Sequence, residues 1–61
     1  MSVIRVSMLV GRSKEQKAKI AAAITQAMVE HAGSTPAHIN VIFDEKPRDG
    51  WALAGKLLAA S

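Results

Sequence analysis

Residues 39–43 read Ile-Asn-Val-Ile-Phe, an almost unbroken apolar run rich in β-branched and aromatic side chains. Runs of this kind form strands covered on both faces, as in a parallel sheet. Covering both faces takes more protein than 61 residues provide. A chain of this length buries only about 60% of the surface that its unfolded form exposes. The run therefore sets a problem that the rest of the chain has to solve.

Val3 to Val10 supplies another strand signal, with Arg5 and Ser7 alternating with Ile4, Val6 and Met8. One face of that strand is more buried than the other. Gly11-Arg12 breaks it, and Ser13 then offers an N-cap with Gln16 at capping-box spacing. From there the period is that of a helix. Ile20, Ile24, Ala27, Met28 and His31 fall on one stripe, with His31 expected to pack near the helix C-terminus, and Glu15, Lys19, Gln26 and Glu30 lie mainly opposite. Gly33 suits the position after the helix and Pro36 lies just beyond, which predicts a stop near Ala32. His38 is expected to be exposed. Residues 44–50 (DEKPRDG) read as a turn-rich loop in which Arg48 is solvated. Residues 51–60 (WALAGKLLAA) fit either a short helix or a small hairpin around Gly55.

The order strand, helix, strand predicts a right-handed crossover between parallel strands. The fold class is α/β: one domain over residues 1–61, a small β-α-β subunit with a short C-terminal hairpin or turn. A two-stranded sheet is not stable alone and exposes two edges. The chain has no cysteine, which removes disulfides and thiolate metal sites together. His31 and His38 have no second pair of ligands nearby, so no metal site is expected. Self-association is the support that remains, and the sheet is expected to be completed by oligomerisation.

The net charge of +3 raises the question of nucleic acid. The positive residues Arg5, Arg12, Lys14, Lys17, Lys19, Lys46, Arg48 and Lys56 are scattered, and Phe43 and Trp51 are the only aromatics available for base stacking. No nucleic-acid partner is expected. A modest positive field equally favours small anionic substrates. No window approaches the roughly 18 apolar residues of a membrane span. Arg5 interrupts the first apolar run and no cleavage region follows it. A soluble, cytoplasmic protein without a membrane partner is expected.

Residues 9–17 (LVGRSKEQK), then a helix of this length, then residues 41–56 (VIFDEKPRDGWALAGK), are similar to the 4-oxalocrotonate tautomerase family. GRS-x-EQK is the most specific piece, and Glu45, Trp51 and Gly55 match the pattern at the other end. The likeness runs from about Val3 to about Leu58 without obvious gaps. It implies a β-α-β subunit that assembles into homohexamers. It also implies interconversion of enol and keto forms of small unsaturated acids without a cofactor. The family's base is an N-terminal proline, exposed by loss of the initiator methionine. Its amine is held unprotonated by an apolar pocket and cationic neighbours.

Carried onto this chain, the resemblance makes Arg12 a binder of the substrate carboxylate and the backbone around Leu9 a main-chain contact. Trp51 becomes the aromatic wall of the pocket. Two positions depart from the family: Ser2 stands where the proline base would be, and Asn40 stands where a second arginine would polarise the substrate. Asn40 can donate a hydrogen bond but carries no charge.

Two functions follow from these departures. In one, the chain is an isomerase of small enol or 2-keto carboxylic acids with altered or weak activity. Met1 is removed and the free α-amine of Ser2 shuttles the proton. An ordinary α-amine titrates close enough to neutral pH to serve as a base. Being primary, it can also condense with a carbonyl to form an imine. In the other, the chain is a catalytically inactive oligomer that binds small carboxylates or serves another role. The Ser2 hydroxyl has no adjacent His-Asp pair in the sequence, so it is not expected to be a nucleophile.

Overall fold

A computed structural model describes residues 1–59 of the chain. Strand β1 (Ser2–Leu9) leads into helix α1 (Lys14–Ala32), and a short 3-10 turn at Pro36–His38 delivers strand β2 (Ile39–Lys46). A second 3-10 turn at Arg48–Gly50 precedes a hairpin of two very short strands, β3 (Ala52–Leu53) and β4 (Lys56–Leu57). β1 and β2 are parallel, in register from Ser2 against Ile39 to Leu9 against Lys46. β3 and β4 are antiparallel. The architecture is the expected β-α-β unit, and residues 51–59 choose the hairpin over the helix. Ala60 and Ser61, the end of that stretch and of the expected domain, lie outside the described residues.

The start of α1 follows from local chemistry. Ser13 Oγ accepts from the Gln16 backbone N–H at 3.1 Å, and Gln16 Oε1 accepts from the Ser13 N–H at 2.8 Å. Both halves of the capping box are therefore present. At the other end, the N–H groups of Gly33 and Ser34 both reach back to the carbonyl of Met28 and close the helix after Ala32.

Packing departs from expectation in two places. The inward stripe of α1 carries Lys17, Ile20, Ala21, Ile24, Thr25, Met28 and Val29, all half-buried, while Ala27 and His31 are exposed. At its start the stripe includes Lys17, which turns inward to an acidic partner on β2. β2 also runs three residues further than its apolar core, through Asp44, Glu45 and Lys46. Their composition predicts a loop, but they pair with Ser7, Met8 and Leu9, and the ladder's hydrogen bonds outweigh the polar side chains. Finally, Arg48 is exposed as expected, and its guanidinium also donates to the Leu58 carbonyl at 3.1 Å.

Period two sorts the sheet into two faces. Ile4, Val6 and Met8 of β1 and Ile39, Val41 and Phe43 of β2 lie half-buried on the helix side. Val3 and Arg5 of β1 and Asn40 and Ile42 of β2 are exposed on the other. No apolar side chain among the described residues is fully buried. The radius of gyration is 14.6 Å, against about 10.5 Å for a compact chain of this length. The longest dimension is 46 Å, well beyond the roughly 28 Å length of a 19-residue helix. The hairpin extends past the end of the sheet, with Leu53 and Leu57 exposed at 69% and 57%. A subunit shaped like this has its core still to make.

At the hairpin turn, Ala54 has φ +54° and Gly55 φ +81°. Glycine adopts this left-handed conformation freely, whereas an alanine there strains its Cβ against the backbone. Ala54→Gly is expected to stabilise the protein by about 1 kcal/mol. Urea unfolding at one fixed protomer concentration measures this, and an unchanged or lower midpoint contradicts it.

Candidate functional site

Sequence reasoning nominates Ser2, Leu9, Arg12, Asn40 and Trp51. Ser2 opens β1 and is half-buried. The Asn40 side chain lies beside it, with Nδ2 donating to the Ser2 carbonyl at 3.3 Å. The parallel register explains this meeting, because Asn40 pairs with Val3 and its side chain reaches the preceding peptide group. Ser2 and Asn40 thus form one polar cluster at the N-terminal edge of the sheet.

Leu9 and Arg12 belong to the other edge. Leu9 closes β1 opposite Lys46, and Val10 N–H extends the ladder by donating to the Lys46 carbonyl at 3.0 Å. Gly11 then turns the chain with φ +133°, a value that favours glycine strongly. Arg12 follows on the exposed turn before Ser13. Trp51 comes five residues after β2 ends at Lys46 and is half-buried, its carbonyl accepting from Leu58 N–H at 2.9 Å.

The strand between these clusters keeps them apart. Ser2 to Leu9 is seven steps of extended chain, or roughly 23 Å at about 3.3 Å per residue. Within one chain the structure joins Ser2 to Asn40 and places Leu9 and Arg12 at the opposite edge, with Trp51 five residues beyond the end of β2. It does not bring the two groups together.

Most residues of the motif at 11–17 hold the scaffold. Gly11 makes the turn, and Ser13 and Gln16 make the capping box. Glu15 sits in the first helical turn, where a carboxylate meets the positive end of the helix dipole. Lys17 Nζ donates to Glu45 Oε1 at 2.7 Å, with the two side chains 29% and 22% exposed. That ion pair ties the beginning of α1 to the end of β2, and its partial burial makes loss of one partner costlier than at an exposed pair, because the other charge is left uncompensated. In the sequence Glu45 reads only as part of a pattern, and its partner goes unnoticed. The available signal is the position of Lys17, three before Ile20 and seven before Ile24, which sets a charge on the apolar stripe. Arg12 differs from Ser13, Gln16 and Lys17. Among the described residues it makes neither an ion pair nor a side-chain hydrogen bond.

At the Leu9 edge Lys17 and Lys46 are paired with Glu45 and Asp44, which leaves Arg12 without an ion pair there among the described residues. No group of three or more His, Asp or Glu side chains that could hold a metal ion occurs among the described residues. No helix of the described residues is long and apolar enough to cross a membrane.

Comparison with known proteins matches residues 3–61 to the family described as "Tautomerase enzyme". The chain is 48% identical over 58 residues to a probable tautomerase of Ralstonia nicotianae, covering 93% of this chain and 88% of that protein. It is 36% identical over 55 residues to a 2-hydroxymuconate tautomerase of Comamonas testosteroni, covering 90% and 87% respectively. Among solved structures, it superposes with a TM-score of 0.88 and 34% identity on a heterohexameric 4-oxalocrotonate tautomerase from Chloroflexus aurantiacus, covering 95% of this chain and 94% of that one.

The division of the motif into scaffold and free residue has a direct test. Arg12→Ala should change stability by less than about 0.5 kcal/mol, whereas Lys17→Ala should cost about 1 kcal/mol or more by leaving Glu45 without its partner. Paired urea titrations decide it, and equal losses for the two variants would contradict the assignment.

Proposed function

The chain belongs to the tautomerase family, and from that premise we propose that it is a cofactor-free keto–enol isomerase of small carboxylic acids, working as a homo-oligomer, most simply a hexamer. The observation that carries the proposal is the exposed guanidinium of Arg12, without an ion pair or side-chain hydrogen bond among the described residues, in a motif whose Ser13, Gln16 and Lys17 side chains are all engaged. An arginine fork pairs with a carboxylate through two parallel hydrogen bonds, which both orients and holds a small acid.

The proton-transfer step falls to the N-terminal amine. Once Met1 is removed, the α-amine of Ser2 stands at the start of β1. It takes the proton of an enol hydroxyl as the carbonyl forms, and returns a proton to the carbon that ends the conjugated chain. The Asn40 amide has two N–H groups. One holds the Ser2 carbonyl, and the other is available to the developing carbonyl oxygen of the substrate. A neutral donor stabilises that oxygen less than a charged one, which accounts for weak or altered activity. Trp51 excludes water from the pocket, and the main chain around Leu9 supplies a backbone contact. The second reading, an inactive oligomer that binds small carboxylates, draws on the same neutral Asn40 and on a retained Met1, which would stand in front of the base.

The two edges of the sheet are too far apart for one small acid to touch Ser2 and Arg12 of a single chain. Two chains aligned antiparallel bring the start of one β1 to the end of the other. The proposed site is therefore shared, with Ser2 and Asn40 from one chain and Leu9, Arg12 and Trp51 from another.

Ketonisation of 2-hydroxymuconate is the assay. The parent should turn it over above the buffer rate, and Ser2→Pro, processed to a free proline, should turn it over faster. Arg12→Ala should raise KM about tenfold or more, as expected for loss of a charge-assisted contact. A silent parent whose Ser2→Pro variant is active would favour the inactive reading. An unchanged KM in Arg12→Ala would remove that residue from the site.

A further inference from the structure

We propose that Arg48 is a positioning residue that sets the orientation of Trp51 by gripping a single peptide group near the C-terminus. The proposal rests on Trp51 forming a wall of the functional site, and it adds a residue to which the family motif assigns no role.

Residues 48–51 would be poorly fixed on their own. The turn at Arg48–Gly50 is exposed throughout and is closed internally by one bond, Gly50 N–H to the Pro47 carbonyl at 2.9 Å. Trp51 then leaves it in an extended conformation, with φ −136° and ψ 124°. A large side chain on such a short, solvent-facing turn needs an outside restraint to hold one direction.

Leu58 and Ala59 supply that restraint. The Arg48 guanidinium donates to the Leu58 carbonyl at 3.1 Å. The Arg48 carbonyl accepts from Ala59 N–H, also at 3.1 Å. These are the two polar atoms of one peptide unit, so Arg48 holds it from both sides. The adjacent Leu58 N–H donates to the Trp51 carbonyl at 2.9 Å. Three successive polar groups of the Leu58–Ala59 backbone are therefore matched to Arg48, which opens the turn, and to Trp51, which leaves it.

The geometry explains why an arginine suits the position. Its planar fork keeps its direction while its stem crosses the gap, and a charged donor to a carbonyl is stronger than a neutral one. Lysine offers a donor of the same charge without the fixed plane. Methionine keeps much of the stem and removes the donor.

The chain has a single tryptophan, so Trp51 reports on itself. Arg48→Met should shift Trp51 emission to longer wavelength and raise its acrylamide quenching about twofold, with helical circular dichroism unchanged. Arg48→Lys should recover at least part of the parent's protection. On 2-hydroxymuconate, Arg48→Met should raise KM several-fold while kcat stays within about twofold, since the wall is displaced and the base is not. In the unsubstituted protein, the amides of Leu58 and Ala59 should exchange with solvent at least tenfold more slowly than the same residues in an unstructured peptide. That measurement needs no variant to fold. Unprotected Leu58 and Ala59 amides, or Trp51 emission and quenching identical in parent and Arg48→Met, would overturn the proposal. A parent that turns over no enol acid would count against the enzymatic reading alone, because the fluorescence and exchange results stand apart from activity.

Discussion

The parallel ladder from Ser2–Ile39 to Leu9–Lys46 is the constraint on which the remaining features depend. Parallel pairing forces the long crossover that α1 provides. It also fixes which residues share an edge. Asn40 meets Ser2 because both strands begin there, and Lys46 meets Leu9 because both end there. The separation of the site residues into two groups is thus a property of the ladder, and no rearrangement of side chains can undo it.

The same ladder explains why the subunit is incomplete. A helix covers one face of the two-stranded sheet, and among the described residues the other face is exposed. Val3 and Ile42 remain open on that face, and Leu53 and Leu57 on the projecting hairpin. An accessible surface of 4704 Å² exceeds the roughly 3800 Å² expected of a compact protein of this mass. Burying such surface between copies, as proposed, would supply the hydrophobic stabilisation that the subunit lacks. Assembly and function then become one problem, because the contacts that bury the open face are also what can join the two edges into a site.

Much of this is legible in the sequence. Ser13 and Gln16 announce the helix, Gly33 its end, and the alternation from Val3 to Val10 the first strand, because each signal is local and needs no partner. The sequence makes β2 look too short and leaves Lys17 out of the inward stripe for a common reason. Glu45 looks like a loop residue until the chain brings Lys17 to it, and that contact spans 28 positions. The Arg48 hydrogen bond goes unnoticed on the same grounds, since its partner is ten residues further on. Resemblance is what identifies the candidate site residues, and the separation of Ser2 from Arg12 is invisible to it. A motif records which residues a site uses, without recording which chain contributes each one.

The two departures from the family, Ser2 and Asn40, meet at one edge and touch each other. Leu9, Arg12 and Trp51 keep the family's pattern. On the proposed assignment, the chain retains the half that would bind an acid and alters the half that would move a proton. Whether those halves belong to different chains is open to a measurement that needs no substrate. The chain has no cysteine, so Arg12→Cys carries a single nitroxide, and that labelled chain can be co-assembled with nitrogen-15-labelled parent. A shared site predicts that the Val3 and Asn40 amide signals of the parent broaden when the spin label is present and recover when it is reduced. Signals at Val3 and Asn40 that are untouched by the label in the mixed assembly would contradict it.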